Sequence, residues 1–288
     1  MKKTQKLAAL LLALVMVFAL SACGQQAGDP SADPTQPASE PAQDSAEPTQ
    51  NAEPAAFTTL QEGKLIMSTN AEFPPYIMTA DDGGYEGIDA EIAQAIAQKL
   101  GLELVIDDMA FNASLTAAQN GESDFAMGGI SVTEDRLAVM DFSDSYATGV
   151  QVVIVTEDSP IQTLDDLANA QMIGTQADTT GYIYASDTPE NGGYGEDHVT
   201  AYDSGALAVM DLVAGKIDAV IIDNEPAKVF AAQNPGLRIL EAAWVEEDYA
   251  IGFAKGNDAL REAVNAAVAE LKADGTFQNI LDQYIKAE

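Results

Sequence analysis

The 288-residue chain sets 46 acidic residues against 13 basic ones, a formal charge of −33, and 47% of its residues are hydrophobic. That balance excludes a general binder of nucleic acid or anionic membranes, since both need clustered Lys and Arg. The single cysteine, Cys23, excludes intrachain disulfides, so core packing must hold the fold together.

In chain order, Lys2, Lys3 and Lys6 precede an apolar run over 7–20, the charged-then-apolar order of an export signal. The run is short of the ~20 apolar residues that span a bilayer. Leu20-Ser21-Ala22-Cys23 resembles the lipobox of bacterial lipoproteins. The resemblance implies a signal peptide over 1–22, lipidation of Cys23, and a protein anchored to a membrane rather than embedded in it. The alternative is a stray cysteine behind an ordinary cleaved signal. Residues 23–56 then turn to Pro, Ala, Gln, Ser, Thr, Asp and Glu. Such a stretch buries too little apolar surface to order itself, and predicts a disordered tether reaching about 30 Å.

From 57 onward, short strand-like runs alternate with helical periodicity. Residues 64–69 read as a strand, and 73–79 with 85–88 as a hairpin turning at Asp82-Gly83-Gly84. Ile88, Ile92, Ile96 and Leu100 recur every fourth residue up to Gly101, the pattern of an amphipathic helix with a glycine end. A strand over 102–106, a helix over 113–120, a strand over 124–127 and a helix over 133–140 follow, a series that predicts a largely parallel sheet. A second series runs through 151–155, 164–168, 172–174, 204–213, 219–222 and 226–233. A strand over 249–254 and helices over 257–273 and 277–285 close the chain. The stretch 191–197, rich in Gly, Asp and Glu, reads as a surface loop carrying the sole histidine, His198.

Five segments occur in order: Asn70-Ala-Glu-Phe-Pro-Pro-Tyr76, Gly87-Ile-Asp-Ala-Glu-Ile-Ala93, Gly128-Gly-Ile-Ser-Val-Thr-Glu-Asp-Arg136, Asp141-Phe-Ser-Asp-Ser-Tyr146 and Gly215-Lys-Ile-Asp-Ala-Val-Ile-Ile-Asp223. Together they resemble the polar amino acid-binding proteins of ABC importers, bacterial extracellular solute-binding proteins of family 3. The resemblance implies an α/β fold of the periplasmic-binding type II kind, with two lobes joined by a two-strand hinge near 148–151 and 240–245. Lobe I would comprise 57–148 plus 244–288, and lobe II 149–243. Periodicity alone suggests two consecutive domains instead.

A free amino acid needs an anion site, a cation site and a side-chain pocket. Ser131 and Thr133 with Glu134 and Asp135 form a helix start whose free N–H groups favour a carboxylate. Arg136, in its first turn, can grip both carboxylate oxygens; pairing with Asp135 or Asp141 is the alternative. The resemblance adds Ser131 and the backbone of Gly129 to the carboxylate site, and Thr179 and Thr180 from a turn where the family usually has glycine in place of Asp178. An ordinary helix cap would also explain that turn. Asp223, ending the apolar strand over 219–222, sits where ligands of open α/β sheets collect. The resemblance assigns it the α-amino group, and a plain strand-end turn is the alternative. Phe73 and Phe111, which unaided read as core, would sandwich the ligand. Asn70 aligns where relatives selecting cationic amino acids often have aspartate, and Glu72 or Asp108 are candidates for charge in the side-chain pocket. The ligand is left open between cationic (Arg, Lys, His) and polar neutral (Gln, cystine).

No cofactor and no metal is expected: one histidine builds no histidine-based triad or multi-histidine site, and the Asp81-Asp82-Gly83 turn lacks the spacing of a calcium loop. The expected partners are a free amino acid, the membrane subunits of an ABC importer, and the membrane through the lipid anchor alone. The protein is expected to be an extracytoplasmic monomer that is not an enzyme. An arogenate or cyclohexadienyl dehydratase on the same fold, working through a carboxylate acid, and a ligand-sensing module are the alternatives.

Overall fold

The computed structural model describes residues 56–240 and 242–285. The leader, Cys23 and the tether expected before residue 56 lie outside the described residues.

The chain opens with β1 (Lys64–Thr69), whose last five residues are all buried. β2 (Glu72–Phe73), β3 (Ile77–Thr79) and β4 (Tyr85–Glu86) form a small antiparallel sheet, closed at the predicted turn where Gly84 N–H donates to Asp82. α1 (Ile88–Leu100) follows the predicted spacing and stops at Gly101 in the left-handed conformation. Then come β5 (Glu103–Asp108), α2 (Phe111–Gln119), β6 (Phe125–Ala126), α3 (Glu134–Val139) and β7 (Met140–Phe142). β8 (Ala147–Thr156) is ten residues long and leads to a 3₁₀ turn at Leu164–Asn169 and then to β9 (Ile173–Gln176). α4 (Thr180–Ser186), β10 (Val199–Tyr202), α5 (Gly205–Val213), β11 (Ala219–Asp223), α6 (Asn224–Gln233) and β12 (Leu237–Ile239) complete this half. β13 (Val245–Tyr249), β14 (Gly252–Ala254), α7 (Asp258–Ala273) and α8 (Thr276–Tyr284) end the chain.

Two sheets result. The first runs β5-β1-β6-β14-β7 and the second β10-β9-β11-β8-β12. β1 lies parallel to β5 and β6, and β9 parallel to β10 and β11, as βαβ connections require. The remaining pairings are antiparallel: β11, β12 and β13 against β8, and β14 against β6 and β7, with β8 and β13 carrying the chain between the two lobes. β13 pairs with the first half of β8, Val245 opposite Gln151 and Tyr249 opposite Ala147. Directly after it, β14 enters the first sheet between β6 and β7. These two crossing strands tie two α/β lobes together.

Each lobe has its own core. Ile88, Ile92 and Ile96 of α1 meet Leu260, Val264 and Leu271 of α7 over Leu65 and Met67. In the second lobe Val152, Ile154, Val220 and Ile222 face Val209, Leu212 and Phe230, while Val153, Val155 and Ile221 face Leu167 and Ala185 on the opposite side. Both faces of these strands are therefore covered, which is why they read as continuous apolar runs. The join between lobes is tight: a Cβ on Gly149 of β8 would collide with the Tyr249 ring of β13. Among the described residues no helix is long and apolar enough to cross a membrane.

Three short elements depart from the pattern read in sequence. β7 follows α3 without a break, so its residues look like helix continuation. β10 lies behind the loop of 191–197, with His198 exposed just before it. The strand expected over 249–254 is two strands broken at Ala250 and Ile251, because the chain changes sheet there.

Candidate functional site

A narrow cleft, with only about 20 Å³ of free space, lies between the lobes. Its lining includes Asn70, Phe73, Phe111, Gly129, Ser131 and Arg136 from the first lobe and Thr179, Thr180 and Asp223 from the second. Every residue assigned to ligand contact is thus brought to one space. Gln176 and Gly128 line it as well.

Arg136 is 8% exposed. Thr133 caps α3, its hydroxyl accepting from Arg136 N–H at 3.2 Å, which fixes the helix start. The guanidinium donates to the Ser131 carbonyl at 2.8 Å and, across the cleft, to the Asp178 carbonyl at 3.3 Å. It also lies 5.3 Å above the Phe111 ring. Both acceptors are neutral. Burial holds the Arg136 pKa below its usual value, with the Glu247 carboxylate the largest opposing influence, and a guanidinium keeps its proton in any protein setting. The alternative, a pairing of Arg136 with Asp135 or Asp141, is not seen among the described residues: Asp141 instead holds Lys255.

Asp178 has φ +62°, the left-handed conformation that favours glycine. The residue is exposed; its carbonyl accepts from Arg136, and its carboxylate charge is a lesser influence on the guanidinium than that of Glu247.

Asp223 ends β11 opposite Gln151. It accepts from Gln151 Nε2 at 2.9 Å and from the Tyr249 hydroxyl. Burial pushes its carboxyl up to about 6, and the nearby Glu247 charge adds to the rise while the two hydrogen bonds oppose it. Phe73 forms one wall and stacks on Tyr76 at 5.5 Å. Gly129, at φ +59°, packs directly on the Phe73 ring, leaving no room for a Cβ.

Several donors are committed differently from the sequence reading. Gly129 N–H donates to Asp89 Oδ2 at 3.0 Å, not into the cleft. A hydroxyl has one hydrogen to give, and Ser131 and Thr180 give theirs to Glu247 Oε2, at 3.2 and 2.6 Å. Thr179 gives its own to the Gln176 carbonyl at 2.8 Å. Toward the cleft these hydroxyls present lone pairs.

Glu72 and Asp108 do not line the side-chain pocket. Both are exposed, and Asp108 accepts from Ala71 N–H at 2.8 Å, so it shapes the turn after β1. That end of the cleft is built from amides: Gln176 Nε2 donates to Asn70 Oδ1 at 2.8 Å, and Asn70 Nδ2 donates to the Met109 carbonyl at 3.1 Å.

Three residues in or beside the cleft escaped sequence reading. Gln176 ends β9 beside the Asp178 turn. Glu247 alternates inward with Val245 and Tyr249 along an acid-rich strand, a period-two signal masked by the flanking Glu246 and Asp248. Asp89, fully buried at the start of α1, accepts from Gly129 N–H and from the Tyr146 hydroxyl at 3.0 Å, while its Oδ1 has no partner. Burial pushes it from 3.8 up to about 7, against those two hydrogen bonds. The folded state then holds a proton that the unfolded state releases, so stability falls as pH rises from about 4 to 7. The shift corresponds to roughly 4 kcal/mol, as an upper estimate. In urea unfolding at pH 4.5, 6.0 and 7.5, Asp89→Asn is expected to lose most of this slope and to retain the part due to Asp223. An unchanged slope would show that Asp89 is not the titrating group.

Among the described residues no cluster of three or more His, Cys, Asp or Glu could hold a metal. The model of bacterial extracellular solute-binding proteins, family 3, matches residues 65–287. A probable histidine-binding protein of Neisseria gonorrhoeae is 27% identical over 274 residues, covering 94% of this chain and 92% of its own. The arginine-binding extracellular protein ArtP of Bacillus subtilis (strain 168) is 30% identical over 229 residues, covering 78% and 87%. An ancestral arginine-binding protein bound to arginine has a TM-score of 0.72 at 33% identity, covering 77% of this chain and 98% of that one.

Proposed function

This chain belongs to the bacterial extracellular solute-binding proteins of family 3, and we propose that it captures a free polar amino acid by closing two lobes and hands it to an ABC importer. Its fold is the type II periplasmic-binding fold. The observation that carries the reading is one cleft lined by a buried cation, Arg136, an acid, Asp223, and the rings of Phe73 and Phe111. An α-carboxylate suits the first, an α-ammonium the second, and the rings suit an extended side chain. The lobes we assign are 57–148 plus 244–288 and 149–243, with β8 and β13 absorbing the rotation.

A thermal-shift screen of the ligand-stripped protein against amino acids, cystine, peptides, sugars and polyamines tests this. A ligand at 100 times its Kd adds about 2.7 kcal/mol. A hit among amino acids is expected, and a response only to compounds lacking a carboxylate would overturn the reading. The chain is read as a binding protein and not an enzyme, so no turnover of prephenate or arogenate is expected.

We also place the protein outside the cytoplasm as a monomer tethered through Cys23, supported by the lipobox-like Leu20-Ser21-Ala22-Cys23. Cys23→Ala is expected to release it from membranes with ligand affinity unchanged. A Cys23→Ala protein that still sediments with membranes would rule out the anchor.

A further inference from the structure

The cleft's charges do not balance for a neutral ligand. Within the capture reading, a zwitterionic head group satisfies Arg136 with its carboxylate and Asp223 with its ammonium. Glu247 is then left over. It is 9% exposed, on β13 of the hinge. Its Oε2 accepts from Thr180 at 2.6 Å, Ser131 at 3.2 Å and Gln151 Nε2 at 3.4 Å, and its Oε1 accepts from the Tyr184 hydroxyl at 3.1 Å. All four donors are neutral. Gln151 also donates to Asp223 at 2.9 Å, so one amide bridges two buried carboxylates.

The hydrogen-bond partners of Glu247 are neutral, and the Arg136 charge, which it also feels, is the one the ligand's carboxylate draws on, so a further cation in the cleft is favoured. The local geometry adds to the pull. Ser131, Thr180 and Thr179 have given their hydrogens to Glu247 and to the Gln176 carbonyl, so their oxygens face the cleft as acceptors. The low-dielectric surroundings carry Glu247's field across the cleft with little screening. The neutral Asn70 and Gln176 at the far end neither supply nor oppose charge.

We propose, resting on the amino acid-capture reading, that Glu247 is a specificity-determining residue that supplies the missing negative charge and makes the cleft select an amino acid whose side chain is cationic. Its charge acts from the hinge side of the cleft, not from the side-chain end where Glu72 and Asp108 were expected to act.

Calorimetry on the mature, ligand-stripped protein with L-arginine and L-citrulline tests this. The pair match in length and shape, and only arginine is charged. Wild type is expected to bind arginine at least tenfold tighter, and Glu247→Gln to shrink that preference about tenfold by weakening arginine alone. Glu247→Asp keeps the charge and is expected to keep the preference. Equal affinity for the two ligands in wild type overturns the inference, however the variants fold. So does Glu247→Gln weakening both ligands equally, which is the outcome of a purely structural role. A neutral or acidic amino acid heading a panel of all twenty overturns this inference and leaves capture standing, whereas no binding of any amino acid overturns both.

Discussion

Replacing Arg136 with alanine is expected to weaken amino acid binding by about two to three orders of magnitude while the chain stays folded. The guanidinium is buried, and its two protein acceptors are the carbonyls of Ser131 and Asp178. A desolvated cation whose partners are uncharged is poised for an anion, and stripping such a partner from a buried pair costs about 3–5 kcal/mol, at 1.4 kcal/mol per tenfold. Because Asp178 lies across the cleft, the same change also removes a contact that draws the lobes together. Arg136→Lys, which keeps the charge and loses the fork, is expected to fall between. Calorimetry on the hit from the screen decides: an alanine variant within threefold of wild type would remove Arg136 from the site.

The second large effect is expected at Asp223. Asp223→Asn keeps shape and removes the charge facing the α-ammonium, and should weaken binding by about a hundredfold, the scale of a lost charge-assisted hydrogen bond in a desolvated site. The acid's elevated pKa, about 6, gives this a pH signature. A protonated carboxyl no longer attracts an ammonium, so wild-type affinity should decline as pH falls through 6. A bound ammonium lowers that pKa, so the complex should hold a little further into acid than the free protein. The asparagine variant should show neither trend. A wild-type affinity flat from pH 5 to 8 would reassign the ammonium to another group.

Sequence carried much of this because several features are periodic or local. The four-residue spacing of Ile88, Ile92, Ile96 and Leu100 and the glycine at 101 fix α1 by their own chemistry. Thr133 and Arg136 sit in one helix start, so their relation is visible in six residues. Asp223 stands at the end of an apolar strand, where burial of its neighbours announces it. What stayed hidden depends on contacts distant in sequence. Gly129 is 40 residues from Asp89, and Ser131 is 116 from Glu247; no local pattern says whose hydrogen each receives. The pocket acids failed for the same reason: Glu72 and Asp108 lie near Asn70 in sequence, yet β2 and the end of β5 turn them to solvent. The switch from β13 to β14 was illegible because the apolar run over 249–254 reads as one strand, while the acids at 246–248 hide the β13 that precedes it.

That switch reaches beyond the finished molecule. β14 is inserted between β6 and β7, and α7 and α8 supply Leu260, Val264, Leu271 and Phe277 to the core under α1. The half of the chain that emerges first during synthesis therefore lacks a central strand and much of its apolar lining until the final helices exist. The segment made in the middle has all of β8 to β12 in one continuous stretch and can settle earlier.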